Sequence, residues 1–407
     1  MASAGARAGA RAHADNGVTA GAATRAPGET GLQLPTFKGR PGWEFTDISG
    51  LDLPAYEREL AAPLTSAPAT LFELETDGLR QDGVLVCPLE RAPADLVERH
   101  LGSLLAQRDD PFVAICEAGP RTGTLVHVGR GVRVERPISI GAVQARDRTL
   151  VNQRTLIVLE EGAEADVWDQ LLSADAQLDG VLNVVTELVV GAGARLRYVC
   201  GQGLSERSWI FGAQRADVAR DGSLEWVALG FGSVNGHVRM QTRLAGPGSE
   251  ARVTGAYAAR GGQHIDFDTT QEHAAPSTTS DLAFRGVLAD RSTAVWKGNI
   301  IVDPGAQRTD AFQESRNLLI SKRAHADAIP GLEIQANDVR CTHAAAVAQI
   351  DPDQLFYLRS HGLLERDARR LVIEGFLEAL VERFPEGEVR RLLAGAIERR
   401  LALVLGA

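Results

Sequence analysis

Between residues 122 and 348 the chain repeats one pattern, in which a run of alternating apolar and polar residues meets a glycine-containing turn and a second such run follows. Arg195–Val199 shows the alternation, which is typical of a strand that buries one face. The pattern recurs in the segments LIVLEEGAEADVWD, ELVVGAGARLRYV, ADVARDGSLEWVAL, RLAGPGSEARVTGAY and VDPGAQRTDAF. It predicts that this region is mainly β.

The turn glycines recur at regular distances along the chain. Gly162, Gly193, Gly222 and Gly248 are 31, 29 and 26 residues apart, without helical segments between them. Such repetition favours a β-solenoid, in which each coil buries its inner face against the next coil. A sandwich or barrel of hairpins is the alternative. It should show tight turns at closer spacing, and Asn235-Gly236 is the one signal of that kind.

The region before the solenoid, residues 31–121, is predicted to be a smaller α/β unit. Its elements are predicted as helices at Ala55–Ala62 and Pro93–Gln107 and as strands at Gly83–Cys87 and Phe112–Cys116. Residues 1–30 are rich in Ala, Gly and Arg without periodicity. They lack the apolar stretch of a secretory signal, so we expect a disordered tail.

Residues 349–407 are predicted to form a helical domain. Asp351-Pro352 supplies a capping residue and a first-turn proline, and starts a helix through Leu358. The next helix has an apolar stripe of Leu364, Ala368, Leu371, Val372, Gly375, Phe376, Ala379 and Leu380. Phe384-Pro385 closes it, and a third helix follows from Val389 to Ile397. The stripe can pack on its own domain or bind another protein.

Composition limits the classes of function. A chain of 407 residues with 44% hydrophobic residues can fold into two or three units. A formal net charge of −10 argues against nucleic-acid or anionic-lipid partners, and no apolar run approaches the roughly 18 residues of a membrane span. The four cysteines include no C-x-x-C pair, which favours a reducing, cytoplasmic compartment.

The common motifs of enzyme chemistry are missing from the chain. It has no phosphate-binding P-loop, and hence no ATP site of that type, no nucleophile elbow, no zinc-binding H-E-x-x-H helix and no dinucleotide fingerprint. What remains is Cys341-Thr342-His343, the one close Cys/His pair. On a strand, residues two apart point to the same side, so the thiol and the imidazole would lie side by side.

Thiolate and imidazole are both good ligands for iron. Two ligands cannot complete a tetrahedral site, so a metal site at Cys341 and His343 would need groups from elsewhere, most economically from a second subunit. A packed cysteine beside a hydrogen-bonded histidine is the alternative.

Three successive segments between Asp266 and Leu363 resemble, in the same order, segments of a known family. They are DFDTTQEHAAPSTTSDLAFRGVLAD, VDPGAQRTDAFQESRNLLIS and ADAIPGLEIQANDVRCTHAAAVAQIDPDQLFYLRSHGL. They resemble the SufB/SufD family of iron–sulfur cluster assembly proteins. The early segment WEFTDISGLDL is similar to the SufD branch, and the additional cysteines typical of SufB are absent.

The resemblance implies a right-handed parallel β-helix between an N-terminal helical region and a C-terminal helical domain. It implies a scaffold subunit, not an enzyme, that pairs with SufB through the β-helix ends and binds the SufC ATPase through the C-terminal helices. Cys341 and His343 match the family's Cys-x-His motif, and His343 would hold iron or a transient iron–sulfur cluster at the subunit interface. ATP-driven dimerisation of SufC would open that interface.

The match to the family's motif is incomplete. Ala344-Ala345-Ala346 stands in place of Gly-Ala-Thr, Asn337 in place of the first aspartate, and His361 in place of an arginine. The first change alters the backbone beside the histidine. His264, Glu272 and His273 lie in or beside the matching block and are expected to be mainly structural, or else to line a route for iron or sulfur.

Two other classes of function stay open on the residues alone. A β-helix carbohydrate-active enzyme would need clustered carboxylates, for which Asp266, Asp268 and Asp281 are candidates, and it should be secreted. A structural adaptor with an inert Cys/His pair is the other. The sequence does not determine the cluster type, flavin binding or the preference between homodimer and heterodimer.

Overall fold

Two long sheets wind around a common interior. The computed structural model describes residue 34 and residues 42–74, 80–106, 110–119 and 122–406. The predicted tail at residues 1–30 lies outside this range. The strands are β1 (Glu57–Glu59), β2 (Val84–Pro88), β3 (Gly123–Val128), β4 (Ile138–Gln144), β5 (Thr149–Leu159), β6 (Glu164–Ser173), β7 (Val181–Val190), β8 (Arg195–Gly203), β9 (Trp209–Val218), β10 (Ser223–Gly230), β11 (Asn235–Leu244), β12 (Glu250–Ala259), β13 (His264–His273), β14 (Thr279–Leu288), β15 (Thr293–Val302), β16 (Thr309–Leu319), β17 (His325–Ile334) and β18 (Val339–Gln349).

Strand order confirms the parallel β-solenoid. From β3 onward, odd-numbered strands pair in parallel in one sheet and even-numbered strands pair in parallel in the other, so each coil supplies one strand to each. The strands β3 to β18 make eight such pairs. Asn235-Gly236 begins β11 and forms no hairpin. The one antiparallel pairing among the described strands is β2 with β3, at the N-terminal end.

The predicted turns lie along one edge of the solenoid, between an odd strand and the next even strand. Gly162 and Gly193 adopt φ values of +70° and +62°, a conformation that favours glycine. At the turn between β9 and β10 the positive φ belongs to Asp221 at +55°, while Gly222 does not share it. Aspartate tolerates a positive φ better than most residues, so Asp221 can take the position that glycine occupies in the other two turns.

The interior of the solenoid combines apolar side chains, several of them aromatic, with buried polar ones. Strand parity directs alternate side chains inward, and in parallel register they stack on the same position of the next coil. Tyr198, Trp226, Tyr257, Phe284 and Trp296 are all fully buried there. Each coil therefore buries its inner face on its neighbours, and a coil at the end of the stack has a neighbour on one side only.

Among the described residues three α-helices follow the last strand, and the N-terminal region contributes two others. In chain order the α-helices are α1 (Ala94–His100), α2 (Pro111–Glu117), α3 (Pro352–Ser360), α4 (Glu365–Val381) and α5 (Glu388–Leu405). The predicted cap of α3 is present, since the Asp351 side chain accepts a hydrogen bond from the Asp353 amide at 2.9 Å. The buried stripes of α4 and α5 pack on the outer face of the even-numbered sheet.

Two predictions for the N-terminal region are wrong. Phe112–Cys116 is not a strand but belongs to α2, where Asp110 caps the Phe112 amide at 2.7 Å and Pro111 occupies the first turn. Every residue of that run is buried, so it carries no alternation that could separate helix from strand. Ala55–Ala62 is not a helix: a 3-10 turn at Leu53–Ala55 leads into β1, which adds to the edge of β5.

The other N-terminal helix prediction is too long. Within Pro93–Gln107 only Ala94–His100 is helical among the described residues. Gly102 follows with φ of +78°, a left-handed conformation that does not continue a helix. The predicted strand at Gly83–Cys87 is present as β2.

The interior of the solenoid, which we call the lumen, contains the carboxyl group of Asp169, whose hydrogen bonding is incomplete. Asp169 is fully buried in β6, and its Oδ2 accepts hydrogen bonds from Tyr198 Oη at 2.9 Å and Thr155 Oγ1 at 3.3 Å. Its Oδ1 has no partner among the described residues. Burial, which these two bonds offset only in part, raises the pKa of Asp169 to about 6.

Asp169→Asn is expected to increase the free energy of unfolding at neutral pH by up to about 3 kcal/mol, the equivalent of moving a pKa from its ordinary value to about 6. Because the folded-state pKa is raised, the neutral acid's contribution is complete below about pH 4 and is lost as the pH rises through about 6. Urea unfolding of both proteins in acid and at neutral pH measures the difference. A gain that persists unchanged in acid would contradict this assignment.

Candidate functional site

The C-terminal end of the solenoid is an uncovered coil. Strands β17 and β18 are the last in their sheets, each with one paired edge and one edge without a strand partner among the described residues. We call β17 and β18 the terminal coil. Edges of this kind present unpaired backbone groups and are protected or used for pairing in most proteins.

Register places Cys341 and His343 on the inner side of this coil. Cys341 pairs with Ala311 and His343 with Gln313 of β16, and both partners are buried on the lumen side. In parallel strands the side chains of paired residues point the same way, so the thiol and the imidazole project together from the open end. The structure thus brings these two predicted residues to one side of one strand.

Apolar side chains surround the pair. Leu332 and Ile334 of β17 stack above Ile300 and Val302, which are fully buried in the coil below, yet they are 36% and 42% exposed themselves. Val347 of β18 stacks above buried Asn317 and is 43% exposed. We define the end face by these lumen-side residues: Leu332, Ile334, Cys341, His343 and Val347.

The two polar groups of the end face differ in their surroundings. His343 is exposed, and its side chain makes no hydrogen bond within the described part of the chain. Cys341 is half-buried against the apolar cluster of Ile300 and Val302. Burial, and after it the nearby Asp310, raises the pKa of the Cys341 thiol, so in the isolated chain it is protonated at neutral pH. A metal or a cationic group beside it would be needed to favour the thiolate.

The end face alone does not form a metal site. Among the described residues no group of three or more His, Cys, Asp or Glu side chains converges in a way that could hold a metal ion. The geometry offers an imidazole and a thiol on one side, and leaves the other coordination positions open toward whatever meets this surface.

The other histidines named from the sequence lie elsewhere. His273 of β13 is buried in the lumen, two coils below β17. Its Nδ1 is 2.7 Å from Thr278 Oγ1 and its Nε2 is 2.9 Å from Ser280 Oγ. Burial lowers the pKa of His273 to about 4, so it is neutral. His264 contacts Thr293 Oγ1 at 2.8 Å. These contacts show a hydrogen-bonded histidine in each case.

Of the three candidate carboxylates, Asp266 and Asp268 lie two residues apart on one face of β13, and Asp281 lies elsewhere. Asp266, on the odd-numbered sheet, is buried against His237 at 2.9 Å. Asp268 lies on the same strand and is 3.6 Å from Lys297, while Asp281 lies on the other sheet and pairs with Arg383 at 3.2 Å. Glu272 is also paired, with Arg243 at 2.9 Å. Each of the three candidate carboxylates is thus within ion-pair distance of a basic side chain.

Sequence reasoning missed the apolar part of the end face. Leu332 and Ile334 alternate with Glu333 like residues of any buried strand, so the local pattern does not show that they are exposed. The available signal is positional: they belong to the last repeat before the helices. A contiguous exposed apolar surface marks an interaction site more often than single exposed apolar residues do.

A second exposed apolar surface lies on the helices directly after the terminal coil. Phe356 and Tyr357 of α3 are 73% and 62% exposed, and Leu364 and Leu371 are also exposed. We call these four residues the helical patch. Only Ile350 and Asp351 separate β18 from α3, so a force on α3 would act on the strand that carries Cys341 and His343. Across the described helices, none is both long and apolar enough to cross a membrane.

Comparisons with known proteins identify relatives of this chain. Residues 142–376 match the family model described as "SUF system FeS cluster assembly, SufBD core domain". The chain is 30% identical to the iron–sulfur cluster assembly protein SufD of Bacillus subtilis over 86% of this chain and 81% of that protein. It is 31% identical to an iron–sulfur cluster assembly SufBD family protein of Mycobacterium leprae over 70% and 73% of the two chains. To SufB of Bacillus subtilis it is 24% identical, over 72% and 63%.

Proposed function

The chain belongs to the SufB/SufD family of the SUF system and is SufD-like, and on this basis we propose that it is the SufD-type scaffold subunit of a cluster assembly complex. Family membership supports a role in iron–sulfur cluster assembly. The finer proposal is that the end face pairs with a SufB-type subunit and that the helical patch binds a SufC-type ATPase. The single observation that carries it is the exposure of lumen-side apolar residues around Cys341 and His343.

Pairing at the end face would be favoured by the burial of exposed apolar side chains. Leu332, Ile334 and Val347 are in positions that every inner coil buries, and a second β-solenoid placed end to end would bury them. The unpaired edges of β17 and β18 would also gain backbone partners. A partner of the same fold therefore fits this surface better than an unrelated one.

The proposed interface would hold iron or a nascent iron–sulfur cluster between the two subunits. His343 supplies an exposed imidazole, and Cys341 supplies a thiol whose ionisation needs a neighbouring cation. The SufB-type partner would supply the remaining ligands. This subunit would contribute geometry and one or two ligands, without catalysing a reaction. The proposed location is the cytoplasm.

Coupling to ATP would pass through the helical patch. One ATPase subunit would bind the helices of each scaffold chain. When the two ATPase subunits bind ATP and approach each other, they would displace α3 and α4. Since α3 follows β18 after two residues, the displacement would reach the end face and expose the site that holds the iron or cluster. An adaptor with an inert Cys/His pair would keep both contacts but would need neither side chain.

Leu332→Asp is expected to weaken pairing with the SufB-type subunit by about thirtyfold or more, because it puts a charge at the centre of an apolar contact. Leu371→Asp changes a more exposed leucine, in the helical patch, and should leave that pairing intact but reduce co-purification of the ATPase. Affinity purification of co-expressed chains measures both contacts. Undiminished pairing of Leu332→Asp with the SufB-type subunit would reject the end face as the interface.

A further inference from the structure

A cavity lined by several separate parts of the chain lies outside the end face. It has a volume of about 690 Å³, within the range of about 300–1,000 Å³ that is usual for small-molecule sites. Its walls come from residues 68–71, from the turns that follow β6 and β8, and from α5. None of its lining residues belongs to the terminal coil.

One side of this cavity is apolar. Leu172, Leu204 and Phe231 are buried residues of the solenoid that line it, and Leu71 adds to them from the N-terminal segment. Leu403 of α5 also lines it and is 53% exposed, a large fraction for a leucine. The cavity therefore offers a surface that an apolar ligand body would cover.

The polar side of the cavity is positively charged, although the whole chain carries −10. Four guanidinium groups and two carboxylates line it, which leaves a surplus of two positive charges. The lining charged residues are Arg207, Arg260, Arg399, Arg400, Glu206 and Asp175. Surplus arginine beside apolar surface is suited to an oxyanion, because guanidinium donates two parallel hydrogen bonds to a carboxylate or a phosphate.

Two of the lining arginines, Arg260 and Arg400, are held in place by a carboxylate, whereas Arg207 is not. Glu206 is shared by Arg260 at 2.9 Å and by buried Arg400 at 2.8 Å, so one carboxylate faces two guanidiniums. Arg400 also donates to the Ala258 carbonyl and to Gln263 Oε1, both at 2.8 Å. Arg207 is exposed, and within the described chain its side chain makes no hydrogen bond or ion pair. Arg207 is the guanidinium that remains available.

The wall opposite the solenoid is fixed before any ligand binds. Arg399 of α5 donates to the Leu71 carbonyl at 2.6 Å. The next residue, Phe72, exchanges two hydrogen bonds with the buried Gln170 side chain, at 2.9 and 3.3 Å. A preformed cavity loses little conformational entropy when it is filled, which favours binding.

We propose that this cavity binds a small amphiphilic anion, in which an oxyanion headgroup contacts Arg207 and an apolar body covers Leu172, Leu204 and Phe231. The site goes beyond the proposed scaffold function and does not depend on it. Its ligand would tie the N-terminal segment, the solenoid and α5 together.

The test uses calorimetric titration of the full chain with decanoate and with decyl phosphate, which share an apolar body and differ in headgroup. We expect one molecule of at least one of them to bind per chain, and acetate or inorganic phosphate alone not to bind at the same concentration. The tighter of the two decyl compounds then identifies the headgroup class.

Two variants place the site. Arg207→Glu should weaken binding at least about tenfold, because a charge-assisted hydrogen bond is replaced by repulsion. Leu403→Asp should weaken it similarly from the apolar side. The matched controls Arg291→Glu, on the exposed turn between β14 and β15, and Leu60→Asp, at an exposed leucine outside the cavity, should bind like the parent protein. No binding of either decyl compound at millimolar concentration, or equal binding by the parent and Arg207→Glu, would overturn the proposal.

Discussion

Replacing His343 by alanine is expected to lower cluster supply at least tenfold in a strain that depends on this subunit, with no loss of folded protein. The imidazole is exposed and makes no hydrogen bond within the described chain, so its removal should change the free energy of unfolding by no more than about 0.5 kcal/mol. Loss of one ligand from a shared site should lower iron retention much more, since even outer-shell changes cost about 10- to 100-fold. Activity of a cluster-dependent reporter enzyme measures the supply.

The matched control for this variant lies on the same coil. His325 is also exposed, but it is on the outer side of β17 and contacts Asp327 at 3.2 Å. His325→Ala should leave cluster supply unchanged. Cys341→Ala separates the two ligand roles, because a loss equal to that of His343→Ala would make the thiol a second ligand. Normal supply in His343→Ala would leave the chain as an adaptor with an inert pair.

Replacing Glu187 by alanine is expected to destabilise the attachment of the N-terminal region by about 3–5 kcal/mol, the usual cost of removing one partner from a buried ion pair. Glu187 is fully buried on the outer side of β7 and accepts a hydrogen bond from Arg154 at 2.7 Å. It also accepts from the Gly102 and Leu104 amides, both at 2.9 Å. Without it, the buried guanidinium of Arg154 keeps Glu117, at 3.0 Å, as its one carboxylate partner among the described residues.

Hydrogen exchange measures this loss at the site itself. The amides of Gly102 and Leu104 should exchange at least about a hundredfold faster in Glu187→Ala, because they lose their acceptor and the segment opens more often. In Glu187→Ala combined with Arg154→Met, part of the stability should return, since no unpaired charge stays buried. Unchanged exchange in the single variant would mean that the network does not hold this region. Iron retention at the distant end face should be unaffected.

The solenoid could be predicted from the sequence because its signal is local. Alternation in runs such as Arg195–Val199 and the turns at Gly162 and Gly193 each report on a few neighbouring residues, and both features are present in the structure. The run Phe112–Cys116 failed for the opposite reason. It is apolar throughout, and the deciding information lay before it, in the Asp110 cap and Pro111.

The candidate site could be predicted only in part. Strand parity is enough to place Cys341 and His343 on one side, as they are in β18. Whether that side is covered depends on the absence of a further coil, which no local pattern records. Leu332 and the buried Ile300 occupy the same position in successive coils, and only their place in the stack makes one exposed and the other not.

The most direct test of the account is the iron and acid-labile sulfide content of the purified proteins. It should be measured anaerobically on this chain alone, on the SufB-type subunit alone, and on the co-expressed pair with and without His343→Ala. This chain alone should hold neither, the pair should hold both, and the His343→Ala pair should form but lose them. Full retention by the His343→Ala pair, or stable iron on this chain alone, would contradict it.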